Sequence, residues 1–241
     1  MSRVDEAKRI ERELSEIGMN IPELIAATGG LNTKLLKLND DHTRELKDLY
    51  QKLIAGDLTR KEKGSLLESL MYILFHEGYS PLFECKKNCR TSTNEIDILL
   101  CWTQNARVDH FVEIFPFLGE RFLCECKNYV SKVDVTYVGK FYSLLKVSNA
   151  QTGIMIAWEG VTGRGKWDAA AGLIKKIALK DDIYIIVLDK HDLAKIAKGE
   201  YNIFKLLEDK YNALAMDINY ERFIKHHENE SEFSESDVEC G

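Results

Sequence analysis

Two short clusters carry charge into runs that otherwise read as apolar strands. Glu95-Ile96-Asp97 precedes Ile98-Leu99-Leu100, and Glu125-Cys126-Lys127 follows Phe122-Leu123-Cys124. Side chains alternate between the two faces of a strand. Glu95 and Asp97 therefore share one face while Ile96, Ile98 and Leu100 line the other, and Glu125 and Lys127 point away from Phe122, Cys124 and Cys126. Charge in such a place is expensive unless it is paired or has a purpose. Two carboxylates, Asp97 and Glu125, with a lysine two positions beyond the second, suit metal-assisted hydrolysis of a phosphodiester. Mg2+ prefers oxygen ligands and is usually held by one or two carboxylates plus water; Mn2+ is expected to substitute. The backbone carbonyl of Cys126 can add a ligand from the same strand. The ion polarises the phosphoryl oxygen and helps to make hydroxide from bound water, and Lys127 positions that water or neutralises transition-state charge.

Taken singly, the fragments are weak. Glu-x-Lys is common by chance, and Asp97 paired with Lys127 is also an ordinary structural ion pair. What adds specificity is a carboxylate on a preceding helix. Thr59-Arg60-Lys61-Glu62 is a capping box that opens a helix, and Gly78 closes it. Within it the neighbours of Glu68 at +3, +4 and +7 are Met71, Tyr72 and Phe75, which leaves no solvated stripe for it. Glu68 is therefore expected to be buried, where it would orient the metal's waters or take a second ion.

The elements that must position these groups follow from pattern. Residues 3–18 read as a charged amphipathic helix. Asn20-Ile21-Pro22-Glu23 starts a second that ends at Gly29-Gly30, and a third runs from Asp41 to about Ala55. After Gly78 the period changes, with a first strand at Pro81–Cys85, a basic turn holding Lys86, Lys87 and Arg90, and then the Asp97 strand. Residues 104–121 are an excursion in which Phe111–Phe115 reads as an extra strand. Beyond the Glu125 strand come a helix from Asp134 to Val147, a buried strand at Gly153–Trp158, and a glycine-rich loop from Gly160 to Gly165 with Arg164 and Lys166 at its end. A helix at 169–179, a strand at 183–188 and helices at 191–197 and 205–218 complete the chain. Strands joined through helices imply parallel crossovers, hence an α/β sheet flanked by helices.

Composition sets few further limits. The 241 residues, 45% hydrophobic and 30% charged, suit one full core with a helical appendage. No apolar run is long enough to span a bilayer, and Met-Ser-Arg-Val-Asp-Glu lacks the apolar core of a signal peptide, so a cytoplasmic, membrane-free protein is expected. Cys85-x3-Cys89 with Cys124-x-Cys126 matches no common zinc pairing, and thiols within strands suit a reducing compartment. The net charge of −6 is local: residues 226–241 carry six acids and no Lys or Arg, and the rest balances 33 acids against 33 bases. This acidic, serine-bearing tail is expected to be disordered.

Gly64-Ser65-Leu66-Leu67-Glu68, Glu95-Ile96-Asp97, Glu125-Cys126-Lys127 and Gly153-Ile154-Met155-Ile156 together resemble the PD-(D/E)xK nuclease superfamily, in its Mrr-like restriction endonuclease branch. The resemblance covers about residues 59–188. It implies a restriction-endonuclease-like αβββαβ core and Mg2+-dependent cleavage of DNA, with Asp97 and Glu125 as metal ligands, Lys127 as catalytic lysine and Glu68 as helix carboxylate. Between Asp97 and Glu125 an insertion must be absorbed. Helix 134–147 offers Lys140 and Tyr142 where the branch often has glutamine. The organisation expected is a helical extension at 1–58, a nuclease domain at 59–200, a C-terminal helix at 201–225 and the tail. Lys86, Lys87, Arg90, Arg164 and Lys166 are the candidate DNA-backbone contacts. The N-terminal helices are candidates for a homodimer, and a defence-system protein is a candidate partner. Restriction or anti-phage defence is the expected role; a catalytically silent nuclease fold that binds nucleic acid or a partner, and an RNA-cleaving nuclease, are the competing readings.

Overall fold

The computed structural model describes residues 3–56, 58–80, 82–90, 95–108, 110–163 and 169–216. Five strands lie side by side in chain order: β1 (Phe83–Arg90), β2 (Glu95–Trp102), β3 (Arg121–Lys127), β4 (Thr152–Ala157) and β5 (Tyr184–Leu188). β1, β2 and β3 pair antiparallel, while β3, β4 and β5 pair parallel. The parallel pairs need crossovers, supplied by α7 (Val135–Val147) and α8 (Ala170–Asp181). This is the restriction-endonuclease-like α/β fold expected from the sequence.

Alternation along the strands builds two cores. Ile98, Leu100, Phe122, Cys124, Ile154 and Ile156 face α3 (Asp40–Ile54), α4 (Arg60–Tyr72), α9 (Lys190–Ala197) and α10 (Ile203–Ala215). Leu123, Met155, Ala157 and Ile185 face α7 and α8. Gly153 lets α7 come close, since a Cβ there would lie 2.6 Å from the Phe141 ring. Helix starts follow their caps. Asn20 and Glu23 form a reciprocal capping box at α2 (Ile21–Ala27), and Thr59 and Glu62 do so at α4. Asp134 accepts the Thr136 and Tyr137 amides at α7. α1 (Arg3–Glu16) leaves Val4 and Ile10 exposed. Among the described residues, no helix is long and apolar enough to cross a membrane.

Three expectations need correction or fall outside view. Phe111–Phe115 forms no strand. The segment between β2 and β3 folds into α5 (Gln104–Val108), α6 (Phe111–Ile114) and a 3-10 turn at Pro116–Leu118. Its aromatic residues serve the core rather than a sheet: Phe115 lies 5.8 Å from Trp102 and 4.4 Å from Phe204, ring to ring. The Trp102 indole N–H donates to the Gly119 carbonyl at 2.7 Å. Lys86, Lys87 and Arg90 lie in β1, not in a turn, because the ladder to β2 runs from Phe83↔Trp102 to Arg90↔Glu95. Charge is at home on such an edge strand. The acidic tail at 226–241 lies outside the described residues.

Candidate active site

β1 follows β2 as far as Glu95, and β4 follows β3 as far as Lys127. Between β2 and β3, however, the ladder stops at Ile98↔Cys124. The next residues on each strand are Asp97 and Glu125, so the two carboxylates stand on one face where the strands part. Asp97 bridges the opening, its Oδ2 accepting the Cys126 N–H at 2.8 Å. In an extended strand a residue's N–H and C=O point to the same side, so the Cys126 carbonyl also faces β2.

Glu125 is 7% exposed. One of its carboxylate oxygens, Oε1, accepts from the Lys127 ammonium. The other, Oε2, is buried without a hydrogen-bond partner. Burial pushes the Glu125 pKa up, and the Asp97 charge adds to the rise, against the lowering influence of Lys127. Burial works to depress the Lys127 pKa, yet Glu125 and Asp97 outweigh it and the net direction is upward. The lysine therefore stays charged beside two carboxylates that repel each other.

This arrangement fits a divalent cation. An orphaned buried carboxylate oxygen, a second carboxylate on the neighbouring strand and a carbonyl between them are the hard oxygen donors Mg2+ takes. Among the described residues, no group of three or more His, Cys, Asp and Glu side chains is gathered for a metal. Asp97, Glu125 and the Cys126 carbonyl are the groups here that would hold such an ion, with water filling the rest.

Glu68 departs from its expected burial: it is exposed. α4 turns Leu67, Leu70 and Met71 into the core, which leaves Glu68 on the helix side shared with Tyr72, at the rim of the sheet. Its charge still reaches the site. The Cys126 thiol is pushed well up by burial first, with Asp97, Cys124, Glu68 and Glu125 adding to it. Of the five basic residues expected to hold nucleic acid, Lys86 is exposed on β1, opposite Leu99 and hence on the Asp97 face of the sheet. The side chains of Lys87 and Arg90, and residues Arg164 and Lys166 altogether, lie outside the described residues.

Three residues around Lys127, namely Tyr137, Tyr129 and Arg60, take no site role from the sequence, and Lys140, noted on its helix, joins them. Tyr137 of α7 has its ring 5.9 Å from the Lys127 ammonium and 4.9 Å from the ring of Tyr129. Arg60 lies over Tyr129 at 5.5 Å, and Lys140 over Tyr137 at 5.4 Å. The available signal was the i, i+3 spacing of Tyr137 and Lys140 on the helix that follows the Glu-x-Lys strand. Tyr142, by contrast, is structural, its hydroxyl donating to Asp181 at 2.9 Å.

No curated protein matches the chain. Residues 60–196 match the family model of the Mrr catalytic domain, described as restriction endonuclease. That span exceeds half of the 241 residues and holds the helix glutamate, the parted strands and the Glu-x-Lys segment alike, so the chain belongs to the Mrr-type restriction endonuclease family and carries that family's nuclease domain.

Proposed function

We propose that the protein is a Mg2+-dependent endonuclease that hydrolyses phosphodiester bonds in DNA, working in restriction or anti-phage defence. The observation that carries this reading is Glu125 Oε2, buried and without a hydrogen-bond partner, beside Asp97 where β2 and β3 separate. A buried unpartnered carboxylate oxygen is costly, and a cation is the ligand that relieves both its desolvation and its repulsion from Asp97.

Asp97, Glu125 and the Cys126 carbonyl would hold the ion. When bound, the metal supplies Lewis-acid polarisation and a more acidic water. The chain's own residues supply the rest. Lys127, kept charged by Glu125, neutralises negative charge as it builds on the phosphoryl oxygens. The Asp97 carboxylate, tied to the Cys126 amide, fixes the distance between the two strands and so the geometry of the donor set. Glu68, at the rim, orients water entering from solvent. Lys86, Lys87, Arg90, Arg164 and Lys166 are proposed to meet the DNA backbone, and the exposed Val4 and Ile10 of α1 supply apolar surface for a homodimer.

The test is cleavage of plasmid, single-stranded DNA and RNA in Mg2+, Mn2+ and EDTA. Plasmid should be cut with either metal and left intact in EDTA. Cutting that persists in EDTA, or that is confined to RNA, would overturn the reading.

A further inference from the structure

Lys127 is not the only cation at the mouth of the parted strands. Three positive groups converge on one tyrosine pair: Lys127 and Lys140 approach the ring of Tyr137, and Arg60 approaches that of Tyr129. The pair is itself in contact, its rings 4.9 Å apart and inclined at 45°. Distant parts of the chain meet here, since Arg60 opens α4, Tyr129 follows β3, and Tyr137 and Lys140 belong to α7. The assembly is tied together through backbone: the Asn128 side-chain amide donates to the Arg60 carbonyl, which anchors the segment after β3 to the first turn of α4.

The ordinary reading of an exposed cation over an aromatic ring is a surface contact that contributes about 0.5–1 kcal/mol. Two facts set this cluster apart. Lys127 has Glu125 as counter-charge, whereas Arg60 and Lys140 are exposed and, among the described residues, neither pairs with a carboxylate. Nor does Tyr129 supply negative charge. Burial, and the hydrogen bond that Tyr129 donates to Tyr137, raise the Tyr129 pKa, so its phenol stays neutral. Like charges gathered this way repel one another and are stabilised when an anion visits.

We infer that Arg60 and Lys140, held in place by the Tyr129–Tyr137 pair, are a phosphate grip that binds the nucleic-acid backbone on either side of the phosphate served by Lys127. This deepens the nuclease reading and rests on it. The rings contribute preorganisation: a guanidinium and an ammonium already seated against aromatic faces lose less freedom on binding than two unrestrained side chains. Both side chains remain exposed, and phosphate oxygens are acceptors that Arg and Lys both serve.

The test is the salt dependence of duplex-DNA binding, measured in EDTA and again in Ca2+ so that binding is read apart from cutting. Each duplex phosphate that the protein ceases to neutralise lowers the slope of log K against log salt by about 0.9. Arg60→Ala with Lys140→Ala should therefore lower it by about 1.8. Lys47→Ala with Lys52→Ala, which removes the same charge from the exposed side of α3, should leave it unchanged. Tyr137→Phe should keep the slope, and combining the charge-retaining Arg60→Lys with Lys140→Ala should restore about half of what the double alanine variant loses. A wild-type slope in the Arg60/Lys140 double variant, or an equal fall in both double variants, overturns the inference, as does failure of the wild type to bind DNA in either condition. The nuclease reading is judged separately. Plasmid cutting in Mg2+ alongside an unchanged slope defeats the grip alone, whereas the expected slope shift without cutting in Mg2+ or Mn2+ defeats the nuclease.

Discussion

Two of the molecule's carboxylate–lysine pairs, Asp192 with Lys210 and Glu125 with Lys127, are buried and yet built differently. Asp192, on α9, accepts from Lys210 of α10 at 2.7 Å and from the Asp189 amide at 3.0 Å, while Lys210 also donates to the Val187 carbonyl of β5 at 2.9 Å. Both bonds to Asp192 reach Oδ2, and neither Asp192 oxygen is among the buried side-chain atoms of the described residues that lack a partner. Glu125 and Lys127 sit in a similarly dry place, with Asp97 beside them as Asp189 is beside Asp192, but there Oε2 is buried without a hydrogen-bond partner. Burial is the largest influence on both acids and pushes both pKa values up. The difference lies in what remains unsatisfied. A completed pair locks α9, α10 and β5 together, and an incomplete one leaves room for a ligand.

The strongest way to break this contrast is to remove the catalytic partners. Asp97→Ala and Lys127→Ala should each abolish cleavage, a loss of about 100-fold or more, while circular dichroism and the folded fraction of Asp97→Ala stay close to wild type. Full activity of Asp97→Ala would put the chemistry elsewhere. The matching change in the completed pair should act on stability alone. Lys210→Met strands Asp192 in the core and should destabilise by about 3–5 kcal/mol, with cleavage per folded molecule retained. Its pH dependence has a definite sign. An acid whose folded-state pKa lies above its unfolded value stabilises the fold only while protonated, and that contribution is lost as pH rises through the folded value. Denaturation of Lys210→Met should therefore become harder as pH falls through the raised Asp192 pKa. A variant more stable at neutral than at acid pH would contradict that assignment.

The smallest effect is expected at Glu68. Because it is exposed, Glu68→Gln should change stability by no more than about 0.5 kcal/mol, yet it should slow cleavage. Wild-type cleavage by Glu68→Gln would remove the helix carboxylate from the site.

What was legible in the sequence was local. The helix start at Asn20, the capping box at Thr59, the helix start at Asp134 and the alternation through Glu125 and Lys127 each involve residues within a few positions, and all appear where pattern put them. The misreadings concern partners far along the chain. Lys86, Lys87 and Arg90 look like a turn until β2 supplies a ladder. The aromatic run at 111–115 looks like a strand until Trp102 and Phe204 claim Phe115. Glu68 looks buried because its helical neighbours are apolar, but burial depends on which side of α4 meets the sheet. The parting of β2 from β3 is invisible in either strand alone, and so is the meeting of Arg60 with Tyr129.

The central claim, that Glu125 Oε2 is kept for a cation, is tested most directly by metal-dependent stabilisation without nucleic acid. At roughly a hundredfold excess over Kd, Mg2+ or Mn2+ should raise the midpoint of thermal unfolding by about 5–10 °C in the wild type. Glu125→Gln should be at least as stable as the wild type without metal, because it no longer holds a charge against Asp97, and should lose the metal-induced shift. An equal shift in both proteins, or none in the wild type, would contradict the account.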